Sequence, residues 1–470
     1  MIWNLEQFEQ NIALIDDNDV SVSYGELHQQ GISLSSKIGS RKLVFLLCEN
    51  SLGSIIGYVG CVNNSIVPIL LNAQLDQTLL DNLVAKYKPS FLWAPQRLGD
   101  KFPEYRSTYS AYDYSLYQTN FAEKFELNDE LCLMLTTSGS TGSPKFVRQS
   151  YENVISNANS IIEYLHLDAS ERPITTLPMN YTYGLSIINS HLKVGATILV
   201  TDRTFMQKAF WTFFNEKKAT SFGGVPYSYE ILDKLRFYSM DLPSLRYMTQ
   251  AGGKITPELH KKLALYAEDK NRKFFVMYGQ CEATARMGYL PAEKALEKCG
   301  SMGIAIPGGK FRLIDDLGTE ICNPYTPGEL VYYGSNVTLG YAECGEDLIK
   351  GDERGGILRT GDVAQMDEDG YYYIVGRMKR FLKIFGNRVN LDEIDRMIKG
   401  RFDNIECASA GVDDHMFIFL TDGNNSGEVK EYVSHMTKLN PKAFSIVVID
   451  EIPKNDSGKV KYKELEKYYL

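Results

Sequence analysis

Between Lys42 and Ala94 the chain alternates unbroken apolar runs with helical patterns, and this alternation restricts the fold more than any other feature. KLVFLLC (Lys42 to Cys48), IVPILL (Ile66 to Leu71) and FLWA (Phe91 to Ala94) read as strands. Leu52 to Val62 and Leu75 to Tyr87, between them, read as helices. A strand apolar on both faces must be covered on both faces, and crossover helices are what cover a parallel sheet. The pattern resumes with LCLMLTT from Leu131, a helix from Tyr151 to Leu165, ATILV from Ala196, a helix from Phe205 to Asn215 and KFFVMYG from Lys273. From about Gly308 the texture changes. FRLID, GELVYYG and GYYYIVG are short runs separated by Gly, Pro and Asp, which predicts an antiparallel β segment. After Arg380 a small α+β unit is expected: a helix from Leu391 to Ile398, the strand MFIFL, a helix from Glu428 to Leu439 and the strand SIVVID. The predicted class is α/β, with a large domain of mostly parallel sheets and an antiparallel segment, then a small mobile α+β domain.

A chain of 470 residues with 44% hydrophobic and 23% charged residues has material for a sizeable core and more than one domain. Its net charge of −9 argues against a nucleic-acid surface. Eight cysteines are scattered with no C-x-x-C pair, which speaks against structural zinc and for free thiols in a reducing compartment. No basic-then-apolar leader opens the sequence, and no apolar run approaches the ~20 residues that span a bilayer. A cytoplasmic location is expected.

The most informative segment is Thr136-Thr-Ser-Gly-Ser-Thr-Gly-Ser-Pro-Lys145. It is read as joining the strand LCLML to a helix. Its backbone N–H groups and the hydroxyls of Thr137, Ser138, Ser140 and Thr141 can face a phosphate. Gly139 and Gly142 permit close approach, and Lys145 supplies a cation. It is not a Walker A loop, since Gly142 is followed by Ser-Pro. A polar surface loop is the alternative for such a cluster taken alone. The full string closely resembles the signature of the adenylate-forming superfamily, which includes acyl- and aryl-CoA synthetases, carrier-protein ligases, nonribosomal adenylation domains and luciferases.

Further motifs resemble that family in the family's order. Gln250-Ala-Gly-Gly253 resembles its glycine-rich turn beside adenine, which implies a nucleotide role for Gly252 and Gly253. Tyr278-Gly-Gln-Cys-Glu282 resembles its aromatic-Gly-x-Thr-Glu motif. By resemblance, Tyr278 and Gly279 meet the adenine and Glu282 binds Mg²⁺. Cys281 stands where the family's Thr contacts the α-phosphate; the contact is weakened, or Thr284 replaces it. Thr360-Gly-Asp362 implies that Asp362 takes the ribose hydroxyls, and Asp369 to Arg377 implies that Arg377 reaches the nucleotide. The resemblance places a hinge at Arg380 and hence a boundary between 1–379 and 380–470. It gives Lys383 a role in the thiol-transfer state and makes Lys459, in Pro453-Lys-Asn-Asp-Ser-Gly-Lys459, the lysine of adenylation.

The implied activity is ATP- and Mg²⁺-dependent adenylation of a carboxylic acid, then acyl transfer to a thiol of CoA or a phosphopantetheinyl carrier protein. Pocket residues implied by the resemblance are Tyr181, Tyr183, Gly184, Tyr227, Gln250 and Ala251. Leu177 to Leu185 holds no carboxylate to pair with an α-ammonium, and an unpaired buried ammonium is costly, so a non-amino acid is expected. A small carboxylic acid is the expected partner, with a separate carrier protein possible. No carrier domain is expected after Lys459. Three alternatives stay open at this point: a stand-alone amino-acid adenylating ligase, a catalytically silent nucleotide-binding module on the same fold, and a luciferase-like oxygenase.

Overall fold

The computed structural model describes the chain except residues 123, 137–144, 385–386, 403–404, 438, 455–457 and 470, and the side chains of residues 379, 381, 383, 387 and 388. Thr137 to Gly142 therefore lie outside the described residues, as does the side chain of Lys383. The rest forms two compact units. One is Met1–Lys310 with Tyr332–Leu358; the other is Phe311–Val331 with Arg359–Leu470.

The first unit is built on an eight-stranded sheet. At its centre Phe91–Pro95, Leu43–Cys48, Val67–Asn72 and Leu131–Thr136 lie side by side and parallel. The strand Leu43–Cys48 shows why these runs have no polar face. Val44, Leu46 and Cys48 pack into one buried cluster, and Leu43, Phe45 and Leu47 into another on the opposite side. Covering helices include Leu52–Asn63, Gln77–Tyr87 and Tyr151–Leu165, which match the sequence reading to within two residues at each end. The helix expected from Phe205 begins at Lys208. Arg106–Ala111 and Tyr114–Gln118 add an antiparallel margin on one side of the sheet, and Phe146–Ser150 and Gly340–Ala342 add one on the other. These strands have mixed polar and apolar residues, and the sequence reading missed them.

A second sheet of five strands carries Ser221–Gly224, Tyr247–Gln250 and Lys273–Tyr278 in parallel. Their carboxyl ends bring Gly223, Gly224, Gln250, Ala251 and Tyr278 to one edge, where open α/β sheets bind ligands.

The expected strands Lys310–Ile314, Gly328–Tyr333 and Tyr372–Arg377 form one sheet, most of it in the second unit, together with Ile357–Met366, which the sequence reading did not name and which pairs antiparallel with Tyr372–Arg377. The second unit also holds the expected α+β segment. There Cys407–Val412, His415–Leu420 and Phe444–Val448 form a sheet, and the helices are Leu391–Arg401 and Ser426–Thr437.

Candidate active site

The glycine- and hydroxyl-rich segment joins two antiparallel strands. Leu131–Thr136 pairs with Phe146–Ser150, with Thr136 opposite Phe146. The helix begins only at Tyr151, so the expectation of a strand-to-helix loop is corrected: no helix N-terminus follows directly on this segment. The pairing fixes the two ends of the loop as neighbours. Lys145, at its exit, lies 2.5 Å from Glu343 and 5.6 Å from the centre of the Tyr341 ring.

Tyr341 leads to Glu282. Its hydroxyl donates to Glu282 Oε1 at 2.7 Å, and the Arg354 guanidinium sits 4.7 Å from the ring centre. Burial and the adjoining carboxylate push the Tyr341 phenol up to about 12, so at neutral pH it remains a donor. The Glu282 backbone carbonyl accepts from Thr338 N and Oγ1 and from Arg354 Nη1. Glu282 is thus held from both its main chain and its side chain.

The turn after Glu282 is strained. Thr284 has φ 66° and ψ −57°, and Ala285 N donates to Ala283 O at 2.7 Å. This is the rare positive-φ γ-turn, on a β-branched residue that strongly disfavours it, at a cost of about 1–3 kcal/mol. A buried polar cage holds it. Thr284 Oγ1 donates to Asn336 O at 2.7 Å, and Asn336 Nδ2 donates to Ala283 O at 2.9 Å and Arg286 O at 3.1 Å. Thr182 Oγ1 and Gln149 Nε2 both donate to Thr284 O. With its one proton committed to Asn336, the Thr284 hydroxyl has none to give a phosphate. Gly279 approaches the far end of this turn so closely that an added Cβ would run into the Ala285 carbonyl. Cys281 is buried beside Glu282 in the 3₁₀ turn Cys281–Ala283.

The expected pocket residues gather at the carboxyl edge of the five-stranded sheet. Tyr183, near the start of the helix Thr182–Lys193, is buried and hydrogen-bonded to Thr249 Oγ1 at 2.7 Å. Tyr181 meets it edge-on at 6.3 Å. Gly252 has φ 85°, and a Cβ there would strike the Tyr181 hydroxyl. Gln250 is fully buried; its Nε2 donates to Gly253 O, and its Oε1 has no hydrogen-bond partner among the described residues. Gly184 lies against the Pro178 carbonyl and Ala251 is buried. Tyr227, by contrast, is 56% exposed.

In the second unit, Asp362 and Arg377 face each other across paired strands, with Nε 3.1 Å from Oδ1. Arg380 is buried, ion-paired to Asp392 at 2.8 Å and Asp395 at 2.9 Å, and lies 3.9 Å from the centre of the Tyr462 ring. Burial pushes Asp395 up to about 6 despite that guanidinium. Lys383 faces Arg388 in the ladder of Phe381–Ile384 with Asn387–Asn390. Half-buried Lys459 stands next to Val460, which bridges to Lys454.

The model of one family, described as AMP-binding enzyme, matches residues 2–342. A 2-succinylbenzoate–CoA ligase of Bacillus pumilus is 28% identical over 353 residues, 73% of this chain and 70% of that protein. An oxalate–CoA ligase of Arabidopsis thaliana is 28% identical over 73% of this chain and 68% of its own length. The solved o-succinylbenzoate CoA synthetase of Bacillus subtilis, in complex with its acyl-adenylate, superposes with a TM-score of 0.78 at 21% identity, covering 98% of this chain and 97% of that one. The chain belongs to the AMP-binding enzyme family. Within it, this is an AMP-forming acid–thiol ligase.

Three residues that the motifs did not announce support the site. Tyr341 and Asn336 fix Glu282 and its turn, and Arg286 lies beside Tyr183. The signal for Arg286 was present in the sequence: a lone charge in the otherwise uncharged run from Ala283 to Leu290. Among the described helices, none is long and apolar enough to cross a membrane.

Proposed function

We propose that this ligase adenylates a small carboxylic acid without an α-ammonium group and passes the acyl group to the thiol of CoA, rather than to a carrier protein. Glu282 carries the reading: a carboxylate held by Tyr341 from one side and by a strained, caged turn from the other. The described residues contain no cluster of three or more acidic, His or Cys side chains that could enclose a metal. One carboxylate fits Mg²⁺ held largely by phosphate oxygens and water. Bound there, Mg²⁺ would neutralise phosphate charge.

The remaining roles follow the motifs. Thr137 to Lys145 cradle the phosphates, Tyr278 with Gly252, Gly253 and Gly279 meets the adenine, and Asp362 with Arg377 takes the ribose. A carboxylate oxygen of the acid attacks the α-phosphorus and the bond to pyrophosphate breaks, with Lys459 between the two anions. The thiol sulfur then attacks the acyl carbon and AMP leaves, with Lys383 serving that state. Residues 380–470 move as a lid. The side chain of Arg380 is fastened to Asp392, Asp395 and Tyr462, which supports a pivot immediately on its N-terminal side. Tyr181, Tyr183, Gly184, Tyr227, Gln250 and Ala251 line the acyl pocket. The absence of a carboxylate among Tyr181 to Leu185 supports an acid without an amino group. Neither 2-succinylbenzoate nor oxalate, named for two relatives, carries one. All eight cysteines are free thiols, which supports a cytoplasmic enzyme.

The test separates the half-reactions. Lys459→Ala is expected to lower carboxylate-dependent pyrophosphate exchange by ~10²–10³-fold, as for loss of a charged transition-state contact, yet still to convert supplied acyl-adenylate and CoA to thioester. Equal slowing of both steps would remove Lys459 from its assigned role.

A further inference from the structure

Arg286 is 2% exposed, yet no carboxylate pairs with it among the described residues. Nε donates to Ser186 Oγ at 3.2 Å and Nη1 to the Tyr164 hydroxyl at 2.8 Å; the guanidinium carbon lies 5.3 Å from the centre of the Tyr183 ring. Every one of these partners is neutral. Behind them His191 and Tyr247 are neutral too, and Glu171, the buried carboxylate whose charge reaches Tyr247, is paired with Arg246 at 2.9 Å. His191 is fully buried, with Nδ1 at 2.8 Å from the Ile187 carbonyl and Nε2 at 2.9 Å from the Tyr247 hydroxyl. Burial, with the charge of Arg286 adding to it, pushes that imidazole down to about 4, so it stays neutral. The phenols of Tyr164, Tyr183 and Tyr247 are raised by burial and stay protonated. A buried guanidinium with only neutral partners has no counter-ion to offset the removal of its charge from water. Arg148 and Arg380, the other buried arginines among the described residues, both have acids. Tyr183, against which Arg286 lies, is assigned to the acyl pocket in the ligase reading above, so the missing anion fits the acyl substrate.

We propose that Arg286 is the anion-binding residue of the acyl pocket, and that the acid adenylated here is a dicarboxylic acid whose unreactive carboxylate pairs with it. The proposal rests on the ligase reading above and deepens it. The second carboxylate undergoes no bond change; it orients the first toward the α-phosphorus and supplies the charge the pocket lacks. An amino-acid substrate is disfavoured on the same ground, since its ammonium would face a cation.

The experiment is pyrophosphate exchange by the intact enzyme across matched pairs of acids: aliphatic and aromatic diacids, each against its half-amide. The best diacid is expected to exceed its half-amide by ~10²-fold or more in kcat/KM, because the half-amide leaves the buried cation unpaired. Arg286→Gln is expected to lose most of that preference through KM for the acid while keeping KM for ATP, and Arg286→Lys to restore part of it. Equal use of diacid and half-amide by the wild type overturns the proposal and leaves the ligase reading standing. So does an undiminished preference in Arg286→Gln. No exchange with any acid overturns both. Should Arg286→Gln not fold, the wild-type comparison decides alone.

Discussion

Arg148 and Arg286 are both buried in the first unit, and their surroundings could hardly differ more. Arg148, on the strand Phe146–Ser150, spends its donors on the carbonyls of Tyr341, Lys350, Gly351 and Leu339 and on Glu353 Oε2 at 2.5 Å. Those bonds tie the edge strand Gly340–Ala342 and the segment after it onto the main sheet. Arg286, close behind Glu282, meets only hydroxyls and an aromatic ring. The first arrangement is closed: every charge and dipole has its complement within the protein. The second is open, and its complement must come from elsewhere. Buried charge is therefore informative about function according to what it lacks.

The largest expected effect tests the closed side. Arg148→Met leaves several backbone carbonyls without their donor and is expected to cost about 3 kcal/mol or more in denaturant unfolding, since each buried acceptor left unpaired costs about 1–3 kcal/mol. Arg286→Met is expected to unfold no earlier than the wild type, because it removes an uncompensated charge. If the two variants lose stability equally, the contrast between them fails. The next effect lies where scaffold meets site. Asn336→Ala removes the donors that hold Ala283 O and Arg286 O, which is expected to cost about 2 kcal/mol of stability. It is also expected to slow adenylation by ~10-fold through loss of the Glu282 position. A rise in the Mg²⁺ concentration needed for half-maximal exchange would mark the Glu282 effect, because a merely looser fold would leave that requirement unchanged. The smallest effect is Cys281→Thr. One neutral hydrogen bond is worth about 0.5–1.5 kcal/mol, so exchange should be preserved or raised by no more than ~10-fold. A loss of several orders of magnitude would show that this buried position cannot take a hydroxyl.

The sequence made the centre of the fold readable because the strands Leu43–Cys48 and Val67–Asn72 are apolar on both faces, a pattern few other elements share. The margins were not readable. Arg106–Ala111 has the composition of a loop, and Phe146–Ser150 carries an arginine and a glutamine whose partners lie almost two hundred residues away in one case and more than a hundred in the other. The motifs named Glu282 and Tyr278 but not what holds them. Asn336 bonds to Ala283 across 53 positions, and no local pattern encodes that distance. Thr284 shows the limit most clearly: a β-branched residue gives no hint of positive φ, and only the surrounding cage makes the conformation affordable.

The loop from Thr137 to Lys145 begins and ends on strands already hydrogen-bonded to each other, with Thr136 and Phe146 as facing residues. Its two ends are therefore held together by the ladder. For such a loop, doubling the number of residues costs only about 0.6 kcal/mol of chain entropy. A phosphate-binding loop wound onto a helix cannot change length without shifting the helix start. Thr136 and Phe146 are held by strand pairing instead, so a change in the number of residues between them leaves the register of the two strands as it is.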